Sequence, residues 1–105
     1  MFRLEVTESA EADLDAITDY IGTTLCNPPA VASLLDGIDL ACTKLTALPE
    51  LYPLCHDSRL AELGYHKVVV GSYIMIYEID ASTGVVRILR FFHLFHRLEN
   101  YADKL

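Results

Sequence analysis

Two runs of β-branched and aromatic residues, YHKVVV (residues 65–70) and YIMIYEI (residues 73–79), stand on either side of Gly71-Ser72. Such side chains fit a pleated surface. Glycine at the first of two turn positions takes a positive φ without a Cβ clash, which a tight hairpin needs. The stretch therefore predicts an antiparallel hairpin. Strands this apolar require cover on at least one face, and an isolated hairpin is marginal in water. The remaining chain must supply further strands and a layer to pack on them. Asp80 to Gly84 reads as a second turn, and Val85 to about Phe95 as a third, long strand. The late half of the chain thus predicts a three-stranded antiparallel meander.

The first half has a different period. Phe2 to Val6 alternates apolar and polar, as a short strand does. Thr7 follows as an N-cap, with Glu8 and Glu11 in the first turn near the positive end of the helix dipole. Ala10, Leu14, Ile17 and Ile21 recur at helical spacing, predicting an amphipathic helix that ends near Gly22, with Asp13, Asp15 and Asp19 on its other faces. Asn27 and the following prolines open a second helix. Its stripe is Val31, Leu34, Leu35, Ile38, Cys42 and Leu45, and Pro49 stops it. So close in sequence, the two helices should form an antiparallel hairpin. A loop joins them to the meander, and LENYADKL (residues 98–105) predicts a short terminal helix. The expectation is one α+β domain over residues 1–105, in the order β-α-α-β-β-β-α.

Hydrophobic residues make up 52% of the chain and charged residues 22%, which favours a packed core over disorder. Some of that apolar content should lie outside, as a partner surface. The most apolar run is broken at Gly71-Ser72 and is too short to span a bilayer. The first residues lack an apolar signal core, so a cytoplasmic protein is expected. Cys26, Cys42 and Cys55 form no CxxC pair and are expected to be buried thiols in a reducing compartment. Cys55-His56 alone does not make a structural zinc site, and neither metal nor cofactor is expected. The net charge of −7 is unevenly placed. Residues 1–50 hold two basic and nine acidic side chains, whereas residues 51–105 hold six of each and all four histidines. Chemistry on an anion therefore belongs to the second half.

The order of elements resembles the RelE/ParE family of toxins from bacterial type II toxin–antitoxin modules. Four phrases carry the resemblance. VTESAEADLDAITDYI is similar to the family's opening strand and acidic first helix. GYHKVVVGSYIMIYEID is similar to its Tyr-basic-hydrophobic strand, hairpin and Tyr-rich strand. VVRILRFFH resembles its last strand, and HRLENYADKL the basic-Asp/Asn-Tyr segment beyond. The resemblance implies a small antiparallel sheet with two helices, and an antitoxin that wraps the toxin. RelE-like members cut messenger RNA on the ribosome without a metal, and ParE-like members inhibit DNA gyrase.

Metal-independent RNA cleavage needs a base, an acid and cations for the phosphorane-like transition state. Histidine titrates in the useful range, and the arginine fork matches two phosphate oxygens. By that chemistry the catalytic candidates are His93, His96, Arg97 and Tyr101, and the substrate-binding candidates are Arg59, His66, Lys67 and Arg90. Adjacent His66 and Lys67 should face opposite ways on a strand. In a regular last strand, Arg87, Leu89, Phe91 and His93 would share one face, and Ile88, Arg90 and Phe92 the other. His93 and His96 can converge only if the strand ends near Leu94. Arg90 could instead be a structural arginine paired with a helix carboxylate. The resemblance favours a RelE-like endoribonuclease acting on mRNA on the ribosome. A ParE-like gyrase inhibitor is the alternative, and a member that only binds its antitoxin is a third. Two features set the chain apart from RelE-like nucleases: Ile74 follows Tyr73 where those carry an arginine, and its net acidity opposes approach to RNA.

Overall fold

The computed structural model describes residues 1–94. The expected terminal helix and His96, Arg97 and Tyr101 lie outside the described residues.

Strand β1 (Arg3–Val6) leads into α1 (Glu8–Asp19) through Thr7. The Thr7 side chain accepts the Ala10 N–H at 3.1 Å, and its hydroxyl donates to the Leu89 carbonyl at 2.9 Å. One residue thus caps the helix and ties its start to the sheet. The helix does not stop at Gly22 as the periodicity predicts. Residues Tyr20–Thr24 continue it as a wider π turn, closed by Leu25 N–H to the Tyr20 carbonyl at 3.0 Å. Cys26 then reverses the chain at φ +51°, a left-handed position more often filled by glycine.

Helix α2 (Pro28–Ala47) begins as read, with Asn27 accepting the Ala30 N–H and prolines in the first turn. Leu34, Ala41, Cys42 and Leu45 form its buried stripe. Leu35 was expected in that stripe but is 41% exposed, because adjacent residues on a helix point about 100° apart and Leu34 takes the inward position. The segment after Pro49, expected as a loop, contains a short helix α3 (Ser58–Glu62) capped by Asp57, whose carboxylate accepts the Arg59 and Leu60 N–H groups.

The meander forms as expected: β2 (His66–Val70), β3 (Tyr73–Asp80) and β4 (Val85–His93). Val70 pairs directly with Tyr73, and Gly71 takes φ +59° at the first turn position. The sheet order is β1-β4-β3-β2, with β1 parallel to β4. All four β1 residues are exposed, as suits a short edge strand.

One irregularity corrects the face assignment of the last strand. Ile76 pairs with Arg90 but Tyr77 pairs with Ile88, so β4 carries an extra residue at Leu89. A β-bulge of this kind resets the alternation. Ile88 and Phe91 therefore pack together in the core beneath α1 and α2, with Val86, Met75, Tyr77 and Leu45. Leu89 and Phe92 join the other face, where Ile74, Ile76, Cys55 and Leu60 form a second cluster under α3.

Cys42 and Cys55 are buried, as expected, but Cys26 is exposed. Burial, helped by Asp39, pushes the Cys42 thiol up to about 11, so it stays protonated.

Gly37 brings α2 close to β2. A Cβ there would stand 2.7 Å from Cγ1 of Val70. Glycine to alanine in a helix interior ordinarily gains up to about 1 kcal/mol. Here Gly37→Ala is expected to lose about 1 kcal/mol instead, because close-packed interiors resist an added carbon. Val70→Ala in the same chain should recover the contact term in urea denaturation. A Gly37→Ala chain more stable than wild type would contradict the contact.

Candidate functional site

β1 ends at Val6, opposite Ile88. Beyond that point, among the described residues, no strand neighbours β4 on this side, and α1 packs along it. The Thr7 N–H donates to the Ile88 carbonyl at 3.1 Å. One turn and a half further on, Asp13 accepts three hydrogen bonds: from Phe91 N–H at 3.1 Å, and from Arg90 Nε at 2.6 Å and Nη2 at 2.9 Å. The Arg90 guanidinium also lies 5.3 Å over the Phe92 ring. The hydrogen bonds it donates to Asp13 raise the guanidinium further above its ordinary range. Arg90 is thus engaged by a helix carboxylate, the kind of pairing the sequence offered as a structural reading of this residue.

A cleft of about 630 Å³ opens beside this clasp, between α1 and the ends of β3 and β4. Ile17, Tyr20, Tyr73, Phe91 and His93 line it together with Asp13. His93 stands directly across from Tyr73, with the rings edge to face at 5.2 Å. Burial, and then the neighbouring Tyr20, raise the Tyr73 phenol above its usual value. Tyr73 therefore stays a neutral hydrogen-bonding group here. β4 runs to His93, and beyond it the Leu94 N–H still crosses to the β3 side, donating to the Ser72 carbonyl at 2.7 Å; Phe95, the expected strand end, lies outside the described residues.

The other candidates lie elsewhere. His66 stacks on Tyr77 with ring centroids 5.0 Å apart and places Nδ1 2.8 Å from the Tyr52 carbonyl. Tyr77 is fully buried, which pushes its phenol up to about 12, and it donates to the Pro49 carbonyl at 3.0 Å. His66 and His93 thus neighbour Tyr77 and Tyr73, four residues apart on β3. That separation is about 13 Å. Lys67 faces the opposite side of the sheet from His66, where its charge bears on Cys55. Arg59 is on α3 on that same side, 3.7 Å from Asp57 and 59% exposed in its side chain. The described candidates therefore fall in three places: the clasp and cleft with Arg90 and His93, the His66–Tyr77 stack, and the α3 side with Arg59 and Lys67.

The family model described as the ParE toxin of type II toxin–antitoxin system, parDE, matches residues 4–94. The chain belongs to this ParE toxin family. The fold is similar to solved structures of the same kind. A chain of the chromosomal ParDE toxin–antitoxin system from P. aeruginosa superposes with a TM-score of 0.69 at 21% identity, covering 90% of this chain and 97% of that one. A chain of the RelBE2 toxin–antitoxin complex from Mycobacterium tuberculosis gives 0.61 at 22% identity, covering 88% and 96%. A chain of the E. coli RelBE complex gives 0.58 at 14% identity, covering 92% and 100%. No curated protein sequence matches the chain.

Asp13 is a residue of this ParE-family toxin whose role the sequence did not single out, since it was placed with Asp15 and Asp19 on the other faces of α1. Its signal was present. Asp13 lies three residues after Ala10 and four before Ile17, inside the stripe that meets the sheet. A carboxylate in an inward stripe needs a cation or N–H donors, and the last strand supplies both.

Proposed function

We propose that this toxin acts by binding a protein target, DNA gyrase in the manner of ParE-like toxins, and that a cognate antitoxin holds it silent. The pairing of three of its five arginines with carboxylates, among the described residues, carries the reading. Arg90 is bound by Asp13, Arg87 by Glu78 at 2.7 Å with Glu5 at 3.9 Å, and Arg59 lies by Asp57. A phosphoryl transition state needs cations aimed at its oxygens, and these three already face carboxylates. Ile74, where RelE-like nucleases carry arginine, is buried in the α3-side cluster. The net charge of −7 adds long-range repulsion from RNA. A protein surface imposes neither demand.

The RelE-like endoribonuclease remains as a second reading because of one observation. His93 lines a cleft with Tyr73, and His96, Arg97 and Tyr101 follow within eight residues of sequence. In-cell induction separates the two. The expected result is growth arrest with DNA breaks and an SOS response, while primer extension finds transcripts intact. New 5′ ends inside coding regions without an SOS response would move the assignment to RNA cleavage. Unimpaired growth would remove both and leave a member that only binds antitoxin.

A further inference from the structure

Helix α1 runs into its π turn at the mouth of the cleft, and the turn decides which side chains stand there. In an α-helix, residues five apart point about 140° away from each other. Here the Leu25 N–H returns to the Tyr20 carbonyl, five residues back, and both side chains line the cleft with Tyr73. Tyr20 is 48% and Leu25 54% exposed. The turn itself buries only Ile21, and it leads to Cys26 at its left-handed φ. A wide turn followed by a left-handed residue other than glycine is a less favourable backbone than an ordinary helix end. The core gains one side chain from it. Its larger result is two exposed apolar groups set side by side over an aromatic recess, which is how an interface anchor is built.

Charge narrows the occupant. Inside the cleft Asp13 and Arg90 are paired with each other, so an entering side chain is best matched when it is uncharged. Around the mouth the sign is negative. Residues 4–43 contain eight carboxylates and no lysine, arginine or histidine, and Asp15 and Asp19, just ahead of Tyr20, are exposed. A nucleic acid, or a second copy presenting the same surface, would set phosphates or carboxylates against them. We infer that Tyr20 and Leu25 are the anchor by which this toxin grips its protein target, and that the target offers a leucine- or phenylalanine-sized side chain ringed by lysine and arginine. The inference rests on the reading that the target is gyrase. It adds which face of the toxin makes the contact and what chemistry the contacted surface carries.

In the test, purified gyrase supercoils plasmid DNA while the full chain is titrated in, and binding is followed in parallel by biolayer interferometry at two salt concentrations. Wild type should inhibit, with an affinity that falls as salt rises. Tyr20→Ser and Leu25→Ser should each weaken binding and inhibition about tenfold. Leu40→Ser removes a similarly exposed leucine of α2 outside the cleft and should change neither. All three positions are exposed, and unchanged thermal melting of each variant shows that the fold is intact. Wild-type inhibition that both cleft variants leave untouched would overturn the inference while keeping the gyrase reading. An equal loss in Leu40→Ser would mean general adhesion without an anchor, and would overturn it too. No binding or inhibition by the wild-type chain would overturn both. Self-association of the chain, or its binding to a single-stranded RNA oligonucleotide, abolished by Leu25→Ser, would assign the cleft mouth to that occupant and overturn the inference.

Discussion

Asp13→Ala is expected to remove about 2–3 kcal/mol of stability and lower the melting temperature by roughly 10–20 °C. The Asp13 and Arg90 side chains are only 17% and 20% exposed, so solvent screens the pair weakly. Truncating one partner leaves a half-buried guanidinium beside Phe92 and an edge N–H of Phe91 without its acceptor. The cost of losing the carboxylate that both groups share exceeds the worth of an ordinary surface ion pair, about 0–1 kcal/mol. Asp13→Asn keeps an oxygen for the Phe91 N–H and loses only the charge, so about half the effect should remain. A double-mutant cycle with Arg90→Met should give a coupling of about 1–2 kcal/mol. If Asp13→Ala costs less than 0.5 kcal/mol in urea denaturation, the clasp is not what holds α1 to β4. Because the same clasp borders the cleft, its loss should also loosen Tyr73 and His93 relative to α1.

Leu60→Ala should cost about 2–4 kcal/mol, within the usual range for a buried leucine. Leu60 is 1% exposed and anchors α3 against Ile74, Ile76 and Phe92. A helix of five residues has no stability of its own. Its place on the sheet depends on this contact and on the Asp57 cap. The loss should therefore appear first as local opening. Hydrogen exchange should speed at the Ala61, Leu63, Gly64 and Tyr65 amides, whose acceptors lie within or beside the helix. Exchange across β3 and β4 should change less. Uniform acceleration through the whole sheet would instead make α3 part of one cooperative unit with it. In either outcome Arg59, which rides on α3, loses its fixed position relative to Lys67.

Much of this fold could be read from the chain because its signals are local. Gly71 placed the hairpin, Thr7 and Asn27 placed the helix starts, and the two apolar runs placed the sheet. What escaped was either short or non-local. Helix α3 has too few residues to show a period, although Asp57 before it was a usable cap signal. The parallel pairing of β1 with β4 joins segments about 80 residues apart and leaves no mark in either. The bulge at Leu89 carries no glycine to announce it, yet it decides that Phe91 and Ile88 share a face. The pairing of Arg90 with a helix carboxylate was foreseen as a possibility. Its partner was not, because Asp13 was placed with Asp15 and Asp19 on the faces of α1 away from the apolar stripe. His93 could be named as a titratable group near a strand end, but its neighbour Tyr73 became visible only through the register of β3 and β4.

The pairing of β1 with β4 also sets an order of events during synthesis. Thr7 reaches its Leu89 partner across 82 positions of sequence. At bacterial elongation rates of 5–20 residues per second, those positions take roughly 4–16 s to emerge. The β2–β3 hairpin can close while the chain grows, but β1 must wait for the last strand before it has anything to pair with. Throughout that interval a strand-forming segment is exposed to every other nascent chain nearby. Its alternation of Leu4 and Val6 with charged Arg3 and Glu5 suits the wait, since charges on an unpaired strand discourage wrong partners. Strand β1, made long before β4, is thus among the last elements to find its place.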